Sequence, residues 1–267
     1  MLLHITEKCN YSCPHCFVDC TPDGNDTTWT VIHNAINMVE RLGVKTLVIA
    51  GGEPTLKKDF IIDMYDILSR LSEKCTVVLA TNGSFLHQPP HVNTEFAWLH
   101  EKFVFFTQIT AVKHLYPLVD KTKAAYREFI KYHPELRDKV VIIDKMTVID
   151  QLGRAKDKKF KKLCELYKRK APMCFNLYSA AKHSSINDLK TLIHFVEVNT
   201  SVNCKPFIDV RGDIHPGEWV GCNTLGNILV DSDEKIFSKL RDGLPCGACG
   251  IESPFDLKVS TPDYINL

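Results

Sequence analysis

The chain reads as an α/β protein, a partial (β/α)5-6 TIM-type barrel of parallel strands followed by a small loop-rich C-terminal extension. Three observations predict this. Short apolar runs recur along residues 1–150, each ending in a polar or glycine-containing break. Stretches with apolar residues at helical spacing lie between them. After Asn203 the chain changes character: glycines, prolines and cysteines crowd together and regular periodicity fades.

Residues 1–6 are a first strand that delivers a cysteine-rich loop at its C-terminal end, where barrel enzymes place their chemistry. Residues 28–42 set Trp29, Ile32, Ile36, Val39 and Leu42 on one helical face, with Gly43 as the stop. The run TLVIAGGEPT, residues 46–55, is a buried strand breaking into a loop. Residues 58–71 form the next helix, on the face Phe60, Ile61, Met64, Ile67, Leu68 and Leu71. Strands follow at 76–83, 103–110 and 140–149, with a helix at 118–132 between the last two. CFNL, residues 174–177, is a candidate sixth strand, and residues 155–170 and 187–198 are helices. The division expected is a core over 1–200 and an extension over 201–267.

With 267 residues, 45% hydrophobic and 24% charged, the chain can bury a full core. A formal net charge of +1 argues against a wholesale nucleic-acid or membrane-surface binder. The start MLLHITEKC has neither a basic n-region nor a long apolar core, so a cytoplasmic location is expected. Eleven cysteines in a reducing compartment point to metal ligation or redox chemistry before disulfides.

Cys9, Cys13 and Cys16 stand in a C-x3-C-x2-C spacing, with Cys20 just beyond. Three thiolates on one loop can hold three corners of a cubane iron-sulfur cluster and leave the fourth iron open to a small molecule. Zinc is the competing metal, but tetrahedral closure would have to recruit Cys20 or His15. The second strand then ends in Gly51, Gly52, Glu53 and Pro54. Such glycines permit close backbone approach to a ligand. The triad followed by GGEP resembles the radical S-adenosylmethionine (SAM) superfamily over residues 1–150, with His15 at the aromatic place before the last cysteine.

The resemblance implies a [4Fe-4S] cluster whose open iron binds SAM. It further implies reductive cleavage to a 5'-deoxyadenosyl radical that takes a hydrogen atom from substrate. An electron donor such as flavodoxin or ferredoxin is implied as partner. Gly51, Gly52, Glu53 and Pro54 would then help bind SAM, as would Thr81 and Asn82 after the third strand; Thr107 and Gln108 are weaker candidates.

Cys204, Cys222, Cys246 and Cys249 form a second set, C-x17-C then C-x2-C. Spacing alone allows zinc or a cubane. The pattern resembles the Twitch domain, a short relative of the SPASM domain, which implies an auxiliary [4Fe-4S] cluster; Gly217 stands where a cysteine is usual, so Cys174 competes with Cys204 as first ligand. Cys174 is also a candidate catalytic hydrogen-atom donor, and Arg154 a candidate substrate ligand through its planar fork. The basic run Arg154–Lys170 is a solvated helix face or a docking site for an acidic substrate.

The expected function is a radical SAM oxidoreductase that dehydrogenates a small-molecule alcohol, the second electron passing to the auxiliary cluster. Peptide crosslinking or epimerisation is the alternative, and a non-enzymatic zinc protein a further one. The substrate is accordingly a small molecule or a peptide, without membrane or nucleic-acid partners.

Overall fold

The computed structural model describes residues 1–16, 18–88, 105–145, 157–160, 162, 177–198, 205–217 and 223–243. Eight strands form one sheet: β1 (Leu2–Thr6), β2 (Thr46–Gly51), β3 (Thr76–Thr81), β4 (Phe105–Thr110), β5 (Val140–Ile143), β6 (Phe207–Ile208), β7 (Asp213–His215) and β8 (Gly226–Asn227). The order is β5-β4-β3-β2-β1-β6-β7-β8, parallel from β5 through β6 and antiparallel for the last two. This is the expected partial-barrel α/β fold.

Helix α1 (Trp29–Leu42) begins where the Thr28 hydroxyl accepts from the Val31 amide and stops at Gly43, whose φ of 67° only glycine adopts readily. Its buried stripe packs on β1 and β2 through Ile32, Ile36 and Val39, against Leu3, Ile5, Leu47 and Ile49. The single helix expected over 58–71 is two, α2 (Lys58–Asp63) and α3 (Tyr65–Ser72), meeting at Met64. Met64 is fully buried and leaves helical geometry with ψ near 0°, so the apolar stripe Ile61, Met64, Leu68, Leu71 stays on the core although the axis breaks. Helix α4 (Val119–Tyr132) covers β4 and β5.

The candidate strand at 174–177 is not one at its described end: Leu177 opens α5 (Leu177–Ala181), and residues 174–176 lie outside the described residues. The sixth parallel strand is β6, a two-residue segment too short to show a period. It pairs with β1, Leu2 opposite Phe207 and Leu3 opposite Ile208. The described part of the loop-rich tail therefore has no separate core. Ile208, Ile214 and Leu225 join the main one, as do Ile236, Phe237 and Leu240 of α7 (Asp233–Asp242), packed with α6 (Leu189–Val198). Arg41 on α1 grips Asp233 with two hydrogen bonds of 2.8 Å.

All parallel strands end at the same edge of the sheet. That edge carries the cysteine loop after β1, the GGEP loop after β2, the TNG turn after β3 and the hairpin turn after β6. No helix among the described residues is long and apolar enough to cross a membrane.

Candidate metal and cofactor site

The loop after β1 is closed on itself by its own backbone. The Glu7 amide donates to Asn25 O at 2.7 Å, Cys9 to Thr21 O at 2.9 Å, and Thr27 back to Ile5 O at 3.0 Å. Asp26 fastens this ring to its surroundings, accepting from the Thr6 hydroxyl (2.7 Å), Lys8 (2.9 Å) and Lys57 (2.7 Å). Burial raises the Asp26 carboxyl, but those three partners outweigh it and bring it down to about 2.

Within the ring Cys9, Cys13 and Cys20 are buried with Tyr11, and Cys16, Val18 and Tyr116 pack against them. The Tyr11 amide points at Cys9 Sγ, 3.4 Å away, and the Cys16 amide donates to Cys13 O at 3.2 Å. The triad is thus gathered in one apolar pocket, with a backbone N–H already directed at a sulfur. No three His, Cys, Asp or Glu side chains among the described residues stand in a ready-made coordination set. The donor chemistry, soft thiols in a water-poor pocket, fits an iron-sulfur cluster. His15 is buried and tilts against Tyr116, their ring centroids 4.7 Å apart. Tyr116, from the segment after β4, forms a wall of the thiol pocket, and its hydroxyl is pushed up by burial first and then by Cys13 and Cys16. Cys20 is pushed up by its hydrogen bond with Cys16 first and by burial second.

The GGEP loop is built against the cysteine loop. Gly52 donates to Thr6 O and Glu53 to Lys8 O, both at 2.8 Å. A Cβ on Gly52 would stand 2.2 Å from Lys8 O, so only glycine permits this crossing. The two amides are committed to the protein, and contact with a ligand from them is replaced by contact with each loop's neighbour.

Glu53 is fully buried and is the hub of the network. One carboxylate oxygen accepts from the Thr55 amide, the Thr55 hydroxyl and the Thr81 hydroxyl, and the other from the Asn82 amide at 2.7 Å. Burial raises its carboxyl in spite of the four donors. Asn82 extends the network to the cysteine loop, its amide group donating to Asn10 Oδ1 at 3.0 Å. Pro54 opens a short 3-10 turn, Pro54–Lys57, that presents Lys57 to Asp26. Gly51, Gly52, Glu53, Pro54, Thr81 and Asn82 therefore converge with the triad. Thr107 on β4 is fully buried and Gln108 half-buried.

Cys174, Cys204, Cys222, Cys246, Cys249 and Arg154 lie outside the described residues. Between Cys204 and Cys222 runs the hairpin of β6 and β7, with Phe207 opposite His215. Its turn is organised by the buried Asp209, which accepts from the amides of Arg211 (2.8 Å) and Asp213 (3.0 Å) and has His215 Nε2 3.6 Å away. Burial raises Asp209, and His215 with those amides overrides it, to about 2. His4 of β1 lies beside them, its ring tilted against Phe207 with centroids 4.3 Å apart, and burial lowers it to about 4 against the pull of Asp209.

Asp26, Tyr116, His4 and Asp209 escaped the sequence reading because each acts through partners distant in the chain. A signal existed for Cys20, whose four-residue step from Cys16 continues the cysteine pattern.

Residues 3–96 match the family model of the radical SAM superfamily. Among curated proteins, a probable GTP 3',8-cyclase of Methanosarcina mazei is 34% identical over 92 residues, covering 32% of this chain and 26% of that protein. An S-adenosylmethionine-dependent nucleotide dehydratase of Selenomonas ruminantium is 38% identical over 91 residues, 33% of this chain and 31% of the other. The chain thus spans less than a third of the length of these relatives. Among solved structures, BtrN in complex with AdoMet and 2-DOIA superposes with a TM-score of 0.55 at 14% identity, over 88% of this chain and 80% of that one. Native anSMEcpe with bound AdoMet and Cp18Cys peptide gives 0.51 at 15% identity, over 89% and 79%. At such identities the likeness is one of fold. The thiol triad, the GGEP turn locked to it and the matched family model agree, and the chain's residues 3–96 belong to the radical SAM superfamily.

Proposed function

We propose that this protein is a radical SAM oxidoreductase that removes two electrons from an unactivated C–H position of a small-molecule alcohol. The observation that carries the cofactor half of this reading is the locking of the Cys9, Cys13, Cys16 loop onto GGEP. Cys9, Cys13 and Cys16 would hold a [4Fe-4S] cluster. When bound, that cluster and SAM supply reductive cleavage and hydrogen-atom abstraction. Gly51 to Pro54 would line the SAM site, offering carbonyl oxygens since the Gly52 and Glu53 amides are engaged. Thr81 and Asn82 would act by holding that loop through Glu53, and His15 with Tyr116 would wall the cluster from water.

The oxidation rests on an auxiliary [4Fe-4S] cluster at Cys204, Cys222, Cys246 and Cys249 in a Twitch-like extension over 201–267. What supports Cys204 over Cys174 is the hairpin. In the sequence Cys204 precedes β6 and Cys222 precedes β8, two strands that each pair with β7. Cys174 precedes α5 and α6 instead. Arg154 remains a candidate for a substrate carboxylate or phosphate, and a flavodoxin or ferredoxin a candidate donor.

A second reading, a nucleotide substrate, is favoured by the GTP cyclase and nucleotide dehydratase among the relatives. Those matches cover 32% and 33% of this chain, too little to extend the relatives' substrates to it. A peptide substrate is the remaining alternative.

Anaerobic reconstitution of the wild type and of a Cys9, Cys13, Cys16 triple-alanine variant tests the proposal. About eight iron against about four, with reductant-dependent 5'-deoxyadenosine from the wild type alone, is the expected result. About four iron against none would remove the auxiliary cluster and with it net oxidation. Zinc in place of iron would overturn the reading altogether.

A further inference from the structure

The cysteine loop carries one thiol more than a three-ligand site uses. Asp19 takes a left-handed backbone, φ 54°, and turns the chain back. Thr21 is then held beside Cys9, by the 2.9 Å hydrogen bond from the Cys9 amide and by a parallel bridge to Lys8. Cys20 is in this way returned into the thiol cluster, 3% exposed, buried with Cys9 and Cys13, and Cys16 packs against that cluster. Cys16 is half-buried and so the more accessible of the two. The placement brings the spare thiol of Cys20 into one packed group with Cys16, four residues before it.

We propose that Cys16 and Cys20 form a reversible disulfide when the site holds no cluster and a peroxide is the oxidant, protecting the ligand thiol from irreversible oxidation. Cys16 sulfur attacks a peroxide oxygen, the O–O bond breaks, and for hydrogen peroxide one water leaves with Cys16 as a sulfenic acid. Cys20 sulfur then attacks Cys16 sulfur, the S–O bond breaks and a second water carries off the hydroxyl and the Cys20 proton. Two thiols have lost two electrons and the peroxide has gained them. The bond to be formed is about 2.05 Å long, and the packing of both side chains in one cluster brings the two sulfurs together for it. A dithiol reductant reverses the bond by exchange and restores Cys16 for cluster assembly. The protective role rests on the reading of Cys16 as a cluster ligand; the disulfide itself does not.

The test uses the full chain as wild type, Cys20→Ala and Cys20→Ser. Iron is counted, removed anaerobically with a chelator, and the protein is treated with excess hydrogen peroxide and alkylated. Non-reducing peptide mapping follows, with cleavage before Asp19 so that Cys16 and Cys20 fall on separate peptides. The expected wild-type product joins those two peptides, with fragmentation placing the bridge at Cys16 and leaving Cys9 and Cys13 alkylated; a bridge from Cys20 to Cys9 or Cys13 overturns the proposal. Dithiothreitol with iron and sulfide then returns the iron to its starting count. Both variants should start with wild-type iron, show Cys16 as sulfinic acid after peroxide, and fail to recover about four iron. A dominant Cys9–Cys13 or Cys9–Cys16 bridge, or Cys20 found alkylated, overturns the proposal. Loss of iron from both variants before oxidation also overturns it, since Cys20 would then be a ligand. A wild type that takes up no iron at the triad refutes the cluster reading, while the peptide map still decides the disulfide.

Discussion

Asp26 shows how one residue can hold a site together without touching its chemistry. Its folded pKa, about 2, lies below the unfolded value near 4. The carboxylate therefore contributes stability that is present above pH 4 and disappears as pH falls through 2. The partners are partly exposed, which limits the contribution to about 1–2 kcal/mol. Asp26→Asn should lower unfolding stability by that amount at pH 7 and by almost nothing below pH 2, as read by urea denaturation. An equal loss at both pH values would show that charge is not what Asp26 supplies. In the sequence this residue sits in TPDGND, which announces a polar linker and nothing more. The cysteines were legible because thiol spacing is local. Asp26 was not, because its partners Thr6, Lys8 and Lys57 lie on both sides of a helix and a strand.

Among the elements, those with a long clean period were legible in the sequence: α1, β2, β3 and α4 lie where the apolar pattern puts them. The break at Met64 was not, since the stripe continues through it unaltered and periodicity reports the face, not the axis. Nor was β6, where two residues suffice because β1 is already there to pair with. The GGEP turn was legible as glycine-rich, but its work is less with a ligand than with the neighbouring loop. Gly52→Ala would force Cβ into Lys8 O and part the two loops. The expected result is a loss of about four iron on reconstitution, with helical circular dichroism unchanged, because α1 and α3 do not depend on the crossing. Retention of all iron would mean that the loops hold the triad separately.

For the whole molecule, the sheet brings His4 of β1, Asp209 of the turn after β6 and His215 of β7 into one group. His4 is held neutral there, lowered from 6.5 to about 4. The unfolded chain binds the proton more readily than the folded one between those values, so stability rises with pH across that window and is lost as pH falls through it. The span corresponds to on the order of 3 kcal/mol. His4→Leu should flatten the stability profile between pH 4.5 and 6.5, checked by urea midpoints across the range; an unchanged slope would assign it to other groups.

The pairing of β1 with β6 also sets an order in time. On the ribosome Ile208, the partner of Leu3, is made some 200 residues after the strand that carries the thiols at 9–20. At ordinary elongation speeds that delay is roughly 10–40 s. For that interval the strand from which the thiols hang has a bare edge, and the cysteine loop waits for its finished scaffold.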